Sequence, residues 1–190
     1  MGIFKRYYTK WVFPKNVAVC LYDCLEDSLQ HSCFGISIAF FLADYEIKDI
    51  GRFISKVKEI QCFHIADHPD VFTNDGTDFL STNHQTELGI SIEPCSRNML
   101  SSKLNEHGAL NFLIALVLEL NEITLYHVIL LRVLNNTISF ISTVDDQLLK
   151  IETEIDRLNI DVDDLVIPPD FLGESVCKGS GWYQLKHTNP

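Results

Sequence analysis

An almost uninterrupted apolar segment, FGISIAFFL at positions 34–42, follows a polar run and begins immediately after Cys33. Wound as a helix, this segment has apolar side chains on nearly every side, and a helix of that kind is stable only inside a core. The sequence therefore predicts a buried helix that starts at Cys33, around which the rest of the domain must pack. Its large apolar residues are Phe34, Ile36, Ile38, Phe40, Phe41 and Leu42.

The thiol of Cys33 is expected at the N-terminus of this helix. An ordinary cysteine has a pKa of about 8.5, and both the positive end of a helix dipole and a nearby imidazolium favour the thiolate. His127 opens a strand-like run, HVILLRV, ninety-four residues further along the chain. This order suits nucleophilic catalysis, although an isolated buried cysteine is more often inert. His31 is the competing histidine, but residues two apart usually point in different directions.

Length and composition fit one domain with a substantial core. The chain has 190 residues, 46% of them hydrophobic, and no run of eighteen apolar residues that would suggest a membrane span. We expect a single domain over residues 17–190, preceded by a basic, aromatic leader over residues 1–16. The formal net charge is −11; because residues 1–15 carry four basic and no acidic side chains, the remainder carries −15. Such a surface disfavours nucleic acid as a partner.

The apolar residues of the leader recur at helical spacing beside its basic residues. One interpretation is a helix that packs Trp11 and Phe13 against the domain; the other is a helix that contacts an anionic membrane through residues 1–15. The first is favoured, because most aromatic stripes belong to cores. The residues that recur are Ile3, Phe4, Tyr7, Tyr8, Trp11 and Val12.

The six cysteines favour a reducing compartment over a disulfide framework, which is typical of smaller secreted domains. Two groups have residue types that bind zinc, but neither has the paired short spacing of a structural zinc site. We therefore expect no metal and no other cofactor. The first group is Cys20, Cys24, His31 and Cys33, and the second is Cys62, His64 and His68.

Periodicity and turn residues predict the remaining elements. Helices are expected over 46–60, over 78–88 with closure at Gly89, and over 99–120 with an interruption at His107 and Gly108. Strands are expected over 17–24, 90–95, 125–133 and 137–143, with an edge strand or docked tail over 179–186. Residues 64–79 have the composition of a surface loop.

Asn135 and Asn136 predict a hairpin whose register decides what faces His127. Residues directly opposite each other in an antiparallel pair share a face of the sheet. A three-residue loop would put His127 opposite Asp145. A two-residue loop would put it opposite Val144, and Asp146 or a water would then have to orient the ring.

Several of these segments together resemble the papain-like cysteine peptidase superfamily, above all its bacteriocin-leader peptidase branch and the related papain-like effector proteases. The resemblance covers about residues 17–147. It is carried by Gln30 and Cys33 at the buried helix, ELGI before a strand, Leu100 and Leu104 followed by EHGAL, YHVILLRV, and a strand running into Asp145. Gly108-Ala109-Leu110 stands where those families have Gly-Pro-Leu, Asp27 where they place a glutamine, and Phe34 where a glycine often follows the nucleophile.

The resemblance implies an α+β, papain-like fold in which the nucleophile helix packs on a small antiparallel sheet. It implies that Cys33 is the nucleophile, His127 the general base and Asp145 the residue that orients the imidazole. Gln30 would supply the oxyanion hole, together with the backbone N–H of Cys33.

The function implied is a cysteine-dependent hydrolase, a peptidase that forms an acyl-enzyme on Cys33 and acts on a protein or peptide. A deamidase or acyltransferase would use the same two residues. The alternative class is a catalytically inactive papain-like scaffold that binds a protein partner. The resemblance to effector proteases adds delivery into a host cytosol as an alternative to a cytoplasmic location, and the oligomeric state stays open.

Overall fold

The computed structural model describes residues 8–12, 32–67, 79–106, 108–144, 147–157 and 165–188, and within them helices pack on one antiparallel sheet. The predicted α+β class is confirmed, and the sheet, with seven strands, is larger than the small sheet expected. The helices are α1 (Ser32–Leu42), α2 (Ile50–Asp67), α3 (Thr82–Leu88) and α4 (Arg97–Leu104), with a 3-10 turn at Pro169–Phe171. The strands are β1 (Tyr8–Val12), β2 (Ile90–Pro94), β3 (Leu110–Leu120), β4 (Ile123–Leu134), β5 (Thr137–Val144), β6 (Gln147–Glu154) and β7 (Val176–His187).

The strands lie in the order β1-β6-β5-β4-β3-β7-β2, and both faces of the sheet are covered. One face packs against α1 and α2 through residues such as Leu113, Leu130 and Ile141. The other face packs against α4 and the 3-10 turn through residues such as Phe112 and Phe140. Strands buried on both faces read as continuous apolar runs, which explains the sequence of β3 and of residues 128–131 in β4.

Helix α1 is buried on every side, as its sequence predicts. Ile36, Ile38 and Phe40 have no exposed surface. Gly35 lets α2 approach closely, because a Cβ at that position would lie 3.2 Å from the carbonyl oxygen of Val57. The one polar residue in the middle of the helix, Ser37, donates to the carbonyl oxygen of Cys33 at 2.7 Å, so its burial leaves no unpaired hydroxyl.

The amphipathic helix predicted over 46–60 is confirmed as α2, although it starts at Ile50 and continues to Asp67. The loop predicted over 64–79 is therefore wrong for residues 64–67, and residues 68–78 lie outside the described chain. Asp67 contacts the start of α3: its carboxylate accepts from the Ser81 N–H at 2.7 Å and lies 2.8 Å from Nδ1 of His84. The short helix closed by Gly89 is confirmed as α3, although it starts at Thr82 and not at residue 78, and Gly89 has the left-handed conformation of a C-terminal cap.

Three predictions about local structure are wrong, each where pairing with distant strands decides the outcome. The helix predicted through residue 120 ends at Leu104, and Leu110–Leu120 is strand β3, paired with β4 and β7. Residues Tyr8–Val12 form a strand paired with β6 rather than part of a helix. Strand β7 lies between β3 and β2 and is not an edge. The predicted strand over 17–24 and the domain boundary at residue 16 lie outside the described chain.

The hairpin between β4 and β5 has the two-residue loop. Leu134 pairs with Thr137, and Asn135 has a positive φ of 51°, which asparagine tolerates better than most residues. The three-residue alternative is therefore wrong, and with it the register that would have put His127 opposite Asp145. Asp145 and Asp146 lie outside the described chain. None of the described helices is both long enough and apolar enough to cross a membrane.

Candidate functional site

The candidate site lies where β4 and β5 separate. Their pairing runs from Leu134 and Thr137 to Leu130 and Ile141 and ends there, although both strands continue. Beyond that point the backbone groups of Val128 contact side chains: its N–H faces the sulfur of Cys33, and its carbonyl oxygen accepts from the hydroxyl of Ser142. The N-terminus of α1 approaches this opening from one face of the sheet.

Cys33 is the second residue of α1, and its side chain is buried, with 7% of its surface exposed. Burial raises the pKa of the Cys33 thiol, and backbone hydrogen bonds from Val128, Phe34 and Cys33 itself act in the opposite direction. A hydrogen bond lowers the pKa of a thiol only when the partner donates to the sulfur, so these backbone groups are N–H groups that face the sulfur. The sulfur therefore lies against the peptide that joins His127 to Val128.

His127 is the fifth residue of β4 and is partly buried. Its Nε2 is 3.1 Å from the hydroxyl of Ser142, and that hydroxyl is 2.7 Å from the carbonyl oxygen of Val128. Burial lowers the pKa of His127 to about 4. The imidazole is therefore uncharged at neutral pH and able to accept a proton.

The thiol and the imidazole approach the His127–Val128 peptide from different faces of the sheet. His127 pairs with Leu116, which belongs to the cluster on the face away from α1, whereas Cys33 and Val128 belong to the cluster on the α1 face. Within the described chain, no hydrogen bond joins the Cys33 and His127 side chains. Proton transfer between them requires one of them to reach through the opening between β4 and β5.

The remaining predicted site residues have different outcomes. Gln30, His31, Asp145 and Asp146 lie outside the described chain, so the oxyanion and orienting roles stay predictions. Phe34 points into the core and stacks on Phe79, with ring centroids 5.1 Å apart. Among the described residues no three metal-binding side chains come together.

Ser142 is the polar residue at this site that sequence reasoning missed. Its hydroxyl has no exposed surface and touches both His127 and Val128. The signal was present in TISFIST, because in a strand Ile138, Phe140 and Ser142 share one face. A serine on a face that is otherwise apolar is a buried polar group that needs a partner.

The hydrogen-bonded cluster of His84, Ser81 and Asp67 has a structural role. Ser81 caps α3 by accepting from the His84 N–H, and Nδ1 of His84 contacts both Ser81 and Asp67. A nucleophilic arrangement needs the hydroxyl and the carboxylate on opposite ring nitrogens, whereas here both use the same one. These residues fasten the start of α3 to the end of α2.

No protein-family model and no curated protein matches this chain. Among solved structures, the crystal structure of Pseudomonas avirulence protein AvrPphB is similar, with 12% sequence identity and a TM-score of 0.49. The similarity covers 84% of this chain and 93% of that chain. At this identity and TM-score, the similarity assigns no function to this chain.

Proposed function

We propose that this protein is a cysteine-dependent hydrolase, in the first place a peptidase, with Cys33 as nucleophile and His127 as general base. The observation that supports it best is the meeting of two chain segments. The sulfur of Cys33, at the start of the buried helix α1, faces the backbone N–H of Val128, the residue that follows His127. A thiol, backbone N–H donors and a neutral imidazole are thus held around one strand position.

The protonation states favour general-base catalysis over a permanent ion pair. Burial raises the pKa of Cys33 and lowers that of His127, so both groups are neutral in the resting state. As the sulfur attacks an amide carbonyl, its proton passes to His127. The N–H groups around the sulfur stabilise the negative charge that develops on the carbonyl oxygen. His127 then returns the proton to the leaving amine, and water hydrolyses the thioester.

A second candidate function is a binding scaffold without activity. It is favoured by the burial of the Cys33 sulfur and by the location of His127 on the other face of the sheet. In that case Cys33 is a core thiol, and the acidic surface or the N-terminal segment would engage a protein partner.

Alkylation rates separate the two functions, because they predict opposite orders of reactivity. Cys62 and Cys177 are exposed free thiols, whereas Cys33 is buried. If burial alone decides, iodoacetamide labels Cys62 and Cys177 first. If His127 takes the proton of Cys33 as the sulfur attacks, then Cys33 is labelled first at about pH 6, where ordinary thiols are almost fully protonated and have no neighbouring base.

The variant His127→Ala should abolish that preference, and His187→Ala, at an exposed histidine of β7, should preserve it. Labelled peptides are identified by mass spectrometry. Labelling of Cys33 last in the wild type, or unchanged labelling in His127→Ala, would contradict the hydrolase. A peptide library incubated with wild type and Cys33→Ala then separates cleavage from amide hydrolysis at side chains and from acyl transfer.

A further inference from the structure

The hydroxyl of Ser142 bridges two groups with different hydrogen-bonding capacity. It is 2.7 Å from the carbonyl oxygen of Val128 and 3.1 Å from Nε2 of His127. The residue is completely buried. A hydroxyl carries one proton and two lone pairs, a carbonyl oxygen can only accept, and an imidazole nitrogen can do either, depending on the tautomer.

Counting protons gives one arrangement that satisfies every group. The carbonyl of Val128 needs a donor, so the hydroxyl proton of Ser142 goes to it, at the shorter of the two distances. Nε2 of His127 must then carry a proton and donate to a lone pair of Ser142. A neutral imidazole has a single N–H, so Nδ1 is left with the free lone pair.

We propose that Ser142 is a positioning residue that holds His127 as the Nε2–H tautomer and so makes Nδ1 the nitrogen that accepts the proton of Cys33. The role of Nδ1 toward Cys33 rests on the proposed hydrolase; the tautomer does not. Ser142 thereby performs the orienting function that the resemblance to papain-like peptidases implied for Asp145.

A neutral hydroxyl suits a base that is buried. A carboxylate at Nε2 would favour the imidazolium and raise the pKa of the ring. The Ser142 hydroxyl fixes the orientation without adding charge, which agrees with a histidine whose pKa is about 4. The base then stays unprotonated down to acidic pH.

Long-range proton–nitrogen NMR correlation of the His127 ring tests the tautomer directly. We expect the wild type to show protonated Nε2 and unprotonated Nδ1. Ser142→Ala should lose this preference and give a mixture or the Nδ1–H tautomer, while Ser142→Thr, which keeps the hydroxyl, should preserve it. Ser139→Ala is the matched control, since Ser139 lies on the same strand and donates to Glu152 at 2.9 Å.

The proposal is overturned if Ser142→Ala keeps the wild-type tautomer, if the wild type shows protonated Nδ1, or if Asp145→Asn changes the tautomer and Ser142→Ala does not. Circular dichroism identifies variants that fail to fold. For those, the tautomer of the folded wild type and of Ser142→Thr decides the question.

The reactivity of Cys33 links the tautomer to chemistry. We expect Ser142→Ala to slow alkylation of Cys33 at about pH 6 by tenfold to about 10⁴-fold, the upper figure being the cost of a wrong tautomer in serine peptidases. Ser142→Thr should recover most of the rate. If wild-type Cys33 shows no preference over Cys62, the hydrolase fails while the NMR result still decides the tautomer. If Cys33 is labelled preferentially and Ser142→Ala leaves the alkylation rate of Cys33 unchanged, only the positioning role of Ser142 is contradicted, and the hydrolase proposal stands.

Discussion

His127 illustrates how burial alone sets the charge of a residue and links it to stability. Its folded pKa of about 4 lies below the ordinary value of about 6.5, and desolvation is the cause. Between these values the unfolded chain binds a proton that the native state does not. The protonation of His127 therefore does not lower the unfolding free energy above about pH 6.5, and it lowers the unfolding free energy progressively as the pH falls toward 4.

Replacing His127 by Gln should remove this part of the pH dependence. We expect the wild type to lose roughly 2–3 kcal/mol of unfolding free energy between about pH 6.5 and 4 through this residue. Urea unfolding over that range measures the slope. The variant should have a shallower slope than the wild type. Equal slopes in His127→Gln and the wild type would show that His127 is protonated in the native state.

The sequence indicated part of the candidate site because part of it depends on local pattern. Cys33 stands out at a boundary between polar and apolar residues, and His127 at the start of the apolar run HVILLRV. The partner of His127 could not be read in this way. The hairpin turn left two registers open, and the structure adopts the one that does not oppose His127 with Asp145. Ser142 could be recognised as the partner of His127 only from the structure.

At the scale of elements, local signals sufficed for the helices and failed for several strands. Helix α2 has one apolar stripe, and α3 has a serine cap and a terminal glycine, so both could be predicted. Leu110–Leu120 is apolar on both faces, and such a run does not distinguish a buried helix from a buried strand. Its pairing with β4 and β7 decides the outcome, and β7 follows more than fifty residues later.

The contact between α1 and α2 gives a prediction at this scale, with two glycines as a matched pair. A Cβ at Gly35 would lie 3.0 Å from Cγ of Gln61 and 3.2 Å from the Val57 carbonyl oxygen, whereas at Gly51 it would meet only a side-chain oxygen of Asp49 at 3.4 Å. Gly35→Ala should therefore be less stable than Gly51→Ala by about 1–3 kcal/mol, because overpacking forces the helices apart.

Urea unfolding of both variants and of the wild type measures this difference. Alanine is also the better helix former by up to about 1 kcal/mol, so Gly51→Ala should equal or exceed the wild type in stability. Gly35→Ala as stable as Gly51→Ala would mean that α2 can move away without cost. Cys33 would then not be held firmly by the packing of α1.

At the scale of the whole molecule, the sheet has a core on each face, and each core has its own cover. The cover on the α1 face comes from residues before β3, and much of the other cover comes from α4 and from residues 165–172. The second cover therefore joins segments that are distant in the chain. Its stability depends on contacts that no local pattern predicts.

Arg157 makes such a contact, and its replacement should destabilise the protein strongly. Its buried guanidinium donates to the carbonyl oxygens of Leu104 at 2.9 Å and Gly108 at 2.6 Å, and also to that of Glu106, so it joins the end of β6 to the end of α4. Hydrogen bonds to charged groups contribute about 1.5–3 kcal/mol each, and the carbonyls would lose their donor. Arg157→Met, which keeps most of the volume, should cost about 3 kcal/mol or more in urea unfolding, and Arg157→Lys should recover only part, since an ammonium lacks the planar fork.

Arg52→Met, on the exposed surface of α2, should change stability by less than about 0.5 kcal/mol. If Arg157→Met behaved like Arg52→Met, water would be replacing the guanidinium at these carbonyls, and the second cover would be held by its apolar contacts alone.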